Sequence, residues 1–252
     1  MAERARYVYA VSAGLPPDAL RGVAGIAGAP VELIGHRDLQ ALVSDVDLGE
    51  YGEAGLRRNL EDLGWLEETA RAHDDVVRAA TAAAPTAPLR LATIFLDDEG
   101  VRRCVEDLYG DLRAALQRVD GRREWSVKVV AKPRAQARAS AAAPTGGADY
   151  LRRKKAESQA RQSADAEALA AAERVSDAVT DGAVAVRRLP AQDPRLSGLE
   201  GEMLLNLAAL VEQDAGDDLA ARVHEIADAE AGVDVVVAGP WPPYSFATLE
   251  TP

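Results

Sequence analysis

One cysteine, Cys104, stands in a chain of 252 residues, so no disulfide can form within it. That fits a reducing compartment, and a cytoplasmic protein is expected. Aromatic residues make up only 4% of the chain. Leu, Val and Ala must fill the core at helix and strand spacing, so long Ala-rich helices are expected. No window reaches the roughly 18 apolar residues that a membrane-spanning helix needs. Residues 1–6 lead into a short strand-like run, not the apolar stretch of a signal peptide. Membrane insertion and secretion are therefore not expected. Histidine is scarce as well, with only His36, His73 and His224. Scattered in this way beside one Cys, they are too few to ligate a zinc ion.

Charge is plentiful but uneven. The net value is −12. Residues 1–130 carry 16 basic and 22 acidic side chains, residues 131–190 carry 11 and 7, and residues 191–252 carry 2 and 12. An acidic chain repels phosphate backbones, so nucleic acid is not an expected partner. The basic run Arg152-Arg153-Lys154-Lys155 reads as a solvated helix face, with an anionic partner surface as the alternative.

The alternation of Arg6–Ser12 predicts a first strand, ended by Gly14-Leu15-Pro16-Pro17. Val31–Ile34 and Leu39–Val43 are spaced as a hairpin. Helical periodicity runs from Glu53 to Ala83, with Leu56, Leu60, Leu63, Leu66, Thr69, His73, Val76 and Val77 on one stripe and Gly64 as the candidate break. Leu89–Leu96 reads as a buried strand. Asp97 is placed to cap a helix carrying Val101, Cys104, Val105, Leu108, Leu112 and Leu116 inward, stopped by Gly121. Trp125–Val130 is the next strand, and the aperiodic Lys132–Ala148 a flexible loop. Tyr150–Asp181 is a long helix whose thin stripe is Ala160, Ala164, Ala168, Ala172, Val175 and Val179. Ala183–Val186 and Val233–Val237 read as strands, with a helix over Asp217–Ala229; the largely apolar Gly201–Val211 could be strand or helix, and its place between a strand and a helix favours strand.

From Trp125 the order is strand, helix, strand, strand, helix, strand, the split βαβ pattern of a ferredoxin-like fold. The expected class is α+β with two domains. Residues 1–123 form an N-terminal α+β domain, and 124–238 a C-terminal ferredoxin-like domain (βαββαβ) with a long helix and a flexible loop at 132–148. Residues 239–252 form a Pro/aromatic tail. In that tail Pro240, Pro242 and Pro243 favour an extended, polyproline-like course. Trp241, Tyr244 and Phe246 offer large apolar area with few rotors. Trp241, Pro242, Pro243, Tyr244 and Phe246 are therefore the candidate site, either stapling the chain's own domains or meeting a partner.

Catalytic motifs fail on inspection. His224-Glu225 opens like a zinc-protease helix, but Asp228 stands where the second His must be. His73 lies on an apolar stripe and reads as a buried histidine bonded to a backbone carbonyl. Cys104 reads as a small core residue with an inert thiol. Gly22, Gly25 and Gly28 lack the spacing and the following Lys of a phosphate loop. Asp97, Asp98 and Glu99 are explained by the dipole of a helix start. No cofactor, metal or reaction is assigned, and a non-enzyme is expected.

Three segments together resemble the GvpF/GvpL family of gas vesicle proteins. They are the opening Arg6–Val11; the passage His73–Val77, Ala87–Phe95 and Gly121–Val129; and the terminal run Gly239–Phe246, GPWPPYSF, which is the most specific. Where the family often has an aromatic and a glycine before the threonine, this chain has Leu91-Ala92-Thr93, read as a conservative core change. The motifs do not separate GvpF from GvpL. The resemblance implies a two-domain fold with a modified ferredoxin-like second domain, located in the gas vesicle or the cytoplasm. It implies an assembly protein contacting the main shell protein GvpA and possibly other gas vesicle proteins. The alternative is a minor structural component that nucleates or caps the finished shell. A ligand-binding regulatory domain is a more distant reading.

Overall fold

The computed structural model describes residues 3–132, 147–193, 198–199 and 201–247. The expected flexible loop Lys132–Ala148 falls almost wholly outside the described residues. The chain divides into two compact units. One runs to Glu124 and takes in the chain again from Pro240; the other is Trp125–Gly239.

The first unit is built on strand β1, Arg4–Ala13, which is buried almost throughout. Both of its faces are covered. Tyr7 and Tyr9 pack with Val76, Val77 and Ala80, whereas Val8 and Val11 line the same apolar space as Val101, Val105 and Leu112. The expected hairpin is present as β2, Glu32–His36, and β3, Leu39–Asp47, turning at Arg37, whose φ is +53°. β3 pairs antiparallel with β1 from Arg4↔Asp47 to Ala13↔Leu39, with a bulge at Tyr9 between the Val8 and Ala10 pairs. Short helices α1, Leu48–Tyr51, and α2, Glu53–Asn59, follow.

The long helical run breaks before Gly64. Asp62 Oδ1 accepts from the Gly64 and Trp65 amides and so starts a new helix, α3, Leu63–Ala83. The phase is lost at the break, which is why Leu60 and Leu63 are exposed although the sequence put them on the buried stripe. Thr69, His73, Val76, Val77, Ala80 and Thr81 are the residues α3 buries.

Leu89–Leu96 is not one strand. β4, Thr86–Pro88, and β5, Ile94–Phe95, both pair with β1, and the chain loops out between them. Ala92 there has φ +60°, a left-handed conformation that no strand interior contains. Among the described residues the sheet order is β2-β3-β1-β4, with β5 also on β1. Asp97 caps α4, Asp98–Asp107, through the Gly100 amide. The expected single helix turns at Leu108, and α5, Tyr109–Val119, continues with Leu112, Ala115, Leu116 and Val119 buried. Gly121, at φ +70°, ends it.

The second unit comprises β6, Arg122–Ala131 (from Trp125 on); α6, Gly147–Gly182; β7, Ala185–Arg188; β8, Met203–Glu212; α7, Gly216–Ala229; and β9, Val233–Trp241 (to Gly239). The strand order is β7-β8-β6-β9. β7 and β8 are antiparallel from Ala185↔Leu210 to Arg188↔Leu207. Trp125, Val127 and Val129 of β6 and Leu205, Leu207, Ala209 and Val211 of β8 lie on one face by strand period. They form a core with Ala168, Ala172, Val175 and Val179 of α6 and Leu219 and Val223 of α7. Ala160 is not part of this stripe: every residue from Tyr150 to Ser163 is exposed, and burial on α6 becomes continuous only from Ala168. β8 is apolar at nearly every position, Asn206 excepted, because it is buried on both faces.

Candidate functional site

The Pro/aromatic tail leaves β9 at Trp241 and does not keep an extended course. Tyr244–Ala247 forms one helical turn, α8, begun by the Pro242 and Pro243 carbonyls, which accept from the Tyr244, Phe246 and Ala247 amides. Proline suits that position because the first amides of a helix have no internal partner to lose.

Within the first unit the tail is held by two carboxylates and one arginine. Tyr244 Oη donates to Asp74 Oδ1 of α3 at 3.0 Å. Glu124 receives the Ser245 amide on Oε2 and the Ser245 hydroxyl on Oε1, each at 2.7 Å. Arg118 of α5 donates to the Phe246 carbonyl at 3.0 Å. Burial, and then the Asp74 charge, push the Tyr244 phenol far above its usual pKa, so it stays a donor. Pro242, Pro243, Phe246 and Ala247 are buried. Trp241 is different. It remains 37% exposed, with the Arg78 guanidinium over its ring at 4.7 Å. Asp74, already bonded to Tyr244, also accepts from Arg78 Nε, so it holds Tyr244 directly and orients the guanidinium that covers Trp241.

The sequence-singled histidines are accounted for without a reaction. His73 Nδ1 meets the Tyr7 hydroxyl at 2.9 Å, and the backbone carbonyl expected as its partner is that of Leu89, which acts on the ring. Tyr7 Oη already accepts from the Ala92 amide at 3.2 Å, which frees its own proton for His73. Burial lowers the His73 pKa to about 4, opposed by Asp74 and the Leu89 carbonyl, so the ring is neutral at physiological pH. Its Nε2 is buried without a well-formed hydrogen bond. His36 Nε2 lies 2.6 Å from Glu106 on the surface, and His224 Nδ1 donates to the Ala220 carbonyl of its own helix. Cys104 is partly buried, less than a core residue, and burial raises its pKa, which disfavours the thiolate. The glycine-rich stretch binds the chain itself. The Ile26 amide donates to Tyr9 Oη, and a Cβ at Gly25 would stand 2.3 Å from that oxygen. Among the described residues no three His, Cys, Asp or Glu side chains stand close enough to hold a metal ion, and no helix is long and apolar enough to cross a membrane.

The two carboxylates that anchor the tail, Asp74 and Glu124, were missed by sequence reasoning. Both lie within the segments that carried the family resemblance, which was the available signal.

A family model described as "Gas vesicle synthesis protein GvpL/GvpF" matches residues 5–248. The chain belongs to the GvpL/GvpF family. It is 41% identical over 255 residues to gas vesicle protein L of Streptomyces sp. (strain CB03234), covering 98% of this chain and 94% of that one. With gas vesicle protein F of the same strain it shares 26% identity over 261 residues, covering 95% and 98%. The crystal structure of the gas vesicle protein GvpF from Anabaena sp. PCC7120 superposes with a TM-score of 0.69 over 98% of this chain and 97% of that one. Identity to it is 19%, so that likeness concerns the fold. Membership of the GvpL/GvpF family gives the chain a role in gas vesicles.

Proposed function

We propose that this GvpL/GvpF protein is a cytoplasmic, non-enzymatic assembly factor that contacts the main shell protein GvpA while gas vesicles form. The observation that carries the reading is the family match along residues 5–248. The physical need is plain. A small apolar shell subunit made in quantity exposes strand edges and apolar faces that associate before ordered polymerisation. A soluble acidic protein covering those faces would hold subunits competent.

A non-enzymatic role is supported by the fate of the reactive groups. His73 is neutral and bonded to Tyr7, and the Cys104 thiol is pushed away from ionisation. The second unit is read as a ferredoxin-like domain, supported by the sheet order β7-β8-β6-β9 with α6 and α7 packed together over one face. On this reading residues 1–123 and 124–238 are the two domains, and the tail folds back on the first unit with Trp241 outward. The greater identity to the L than to the F relative of one strain supports an L-type protein.

The test is retention of GvpA by the full-length chain on an affinity support, paired with analysis of washed, intact vesicles. Capture of soluble GvpA and absence from washed vesicles supports the assembly reading. Stoichiometric persistence in washed vesicles would make the chain a shell component instead.

A further inference from the structure

Beside the tail, in the first unit, lies a surface cleft of about 190 Å³ walled by Arg78, Thr81, Arg123, Pro240 and Trp241. Four features set it apart from ordinary surface relief. Trp241 is 37% exposed and is the only exposed tryptophan among the described residues. Thr81 is buried, yet its hydroxyl has no hydrogen-bond partner. Arg123 is partly buried and donates to the Arg122 carbonyl, with no carboxylate within salt-bridge distance among the described residues. The two acids that anchor the tail are engaged elsewhere, Asp74 with Arg78 and Tyr244, and Glu124 with Ser245.

We propose that this cleft receives an acidic side chain of a partner polypeptide, its carboxylate taken by Arg123 and Thr81 and its neighbouring apolar residue laid on Trp241 and Pro240. The proposal rests on the reading that the chain contacts the shell protein, and it assigns the chemistry of that contact. Charge complementarity decides the occupant. A guanidinium drawn partly out of water without a counter-charge destabilises the free protein, and burial lowers its pKa accordingly. A carboxylate offers two oxygens that match its planar fork. The unsatisfied Thr81 hydroxyl adds a donor at the same wall. An exposed tryptophan beside an arginine is a combination enriched at the points that carry most binding energy. A basic or purely apolar segment would leave both polar groups unsatisfied.

The experiment is equilibrium binding of the full-length chain to the shell protein at low and high salt. Arg123→Gln should weaken binding by about tenfold or more, and Thr81→Val by about threefold, with unfolding midpoints equal to or above that of the native chain. In parallel, each Asp and Glu of the shell protein is replaced singly by Asn or Gln and tested against the native chain. One of them should reproduce the loss and add nothing further to Arg123→Gln. This second arm decides the matter even if the arginine variant does not fold. Unchanged binding across the acidic replacements, or by a folded Arg123→Gln variant, overturns the cleft assignment while leaving the shell contact standing. Failure of the native chain to bind shell protein at all overturns both. Dimerisation of the chain that depends on Arg123 would assign the cleft to a second copy and overturn the partner proposed.

Discussion

Gly239 lays bare backbone on the indole of Trp125: a Cβ at that position would stand 2.8 Å from Trp125 Cδ2. Gly216 closes on the same indole, where a Cβ would meet Nε1 at 2.5 Å. The ring cannot retreat, since it is 8% exposed within the core of its unit. Gly239→Ala should therefore overpack the site and destabilise the protein by about 1–3 kcal/mol in denaturant unfolding. An unchanged midpoint would mean that the indole is free to move.

The tail is expected to stabilise the isolated protein. Truncation after Gly239 removes the buried Phe246 and the Tyr244–Asp74 and Ser245–Glu124 hydrogen bonds. It also leaves Glu124 buried without those partners. The loss should be several kcal/mol, with Tyr244→Phe alone costing about 1 kcal/mol. If truncation left the unfolding midpoint where it was and abolished GvpA binding, the tail would be a docking element and not a staple.

Acid should unfold the protein partly through His73. Its folded pKa is about 4 against an ordinary 6.5, so the unfolded chain binds the proton first. Stability is complete above pH 6.5 and falls as the pH drops toward 4, by up to about 3 kcal/mol. His73→Gln should flatten the pH dependence of the unfolding free energy in that window. A slope that survives the substitution would assign the effect to carboxylates instead.

Ala92 holds φ +60° and gives its amide to Tyr7. An L-residue there is strained, and glycine is not. Ala92→Gly should stabilise the fold by about 0.5–1 kcal/mol, because relief of strain outweighs the added chain entropy of glycine. Thermal unfolding of the two proteins decides it, and a lower midpoint for the variant would contradict the assignment of strain.

That position also shows where sequence reasoning stops. Leu91-Ala92-Thr93 read as core, because apolar residues on both sides suggested one strand from Leu89 to Leu96. The constraint is on the backbone, and a φ value leaves no mark on hydropathy. The pairing of β2 with β3 was legible because two short apolar runs stand close enough in sequence for a tight turn to join them. The break at Asp62 was not, because Asp62 reads as another charged residue until its cap hydrogen bonds are seen. In the tail, the aromatic and proline content marked the segment. Its anchors Asp74 and Glu124 lie 170 and 121 residues from their partners, a pairing only the fold can bring about.

Binding of the full-length chain to soluble GvpA tests the proposed role most directly. The account predicts a saturable complex that is weakened by salt and by Arg123→Gln, with no need for any small-molecule cofactor. A folded chain that shows no association with GvpA over the concentrations at which vesicles assemble would contradict it.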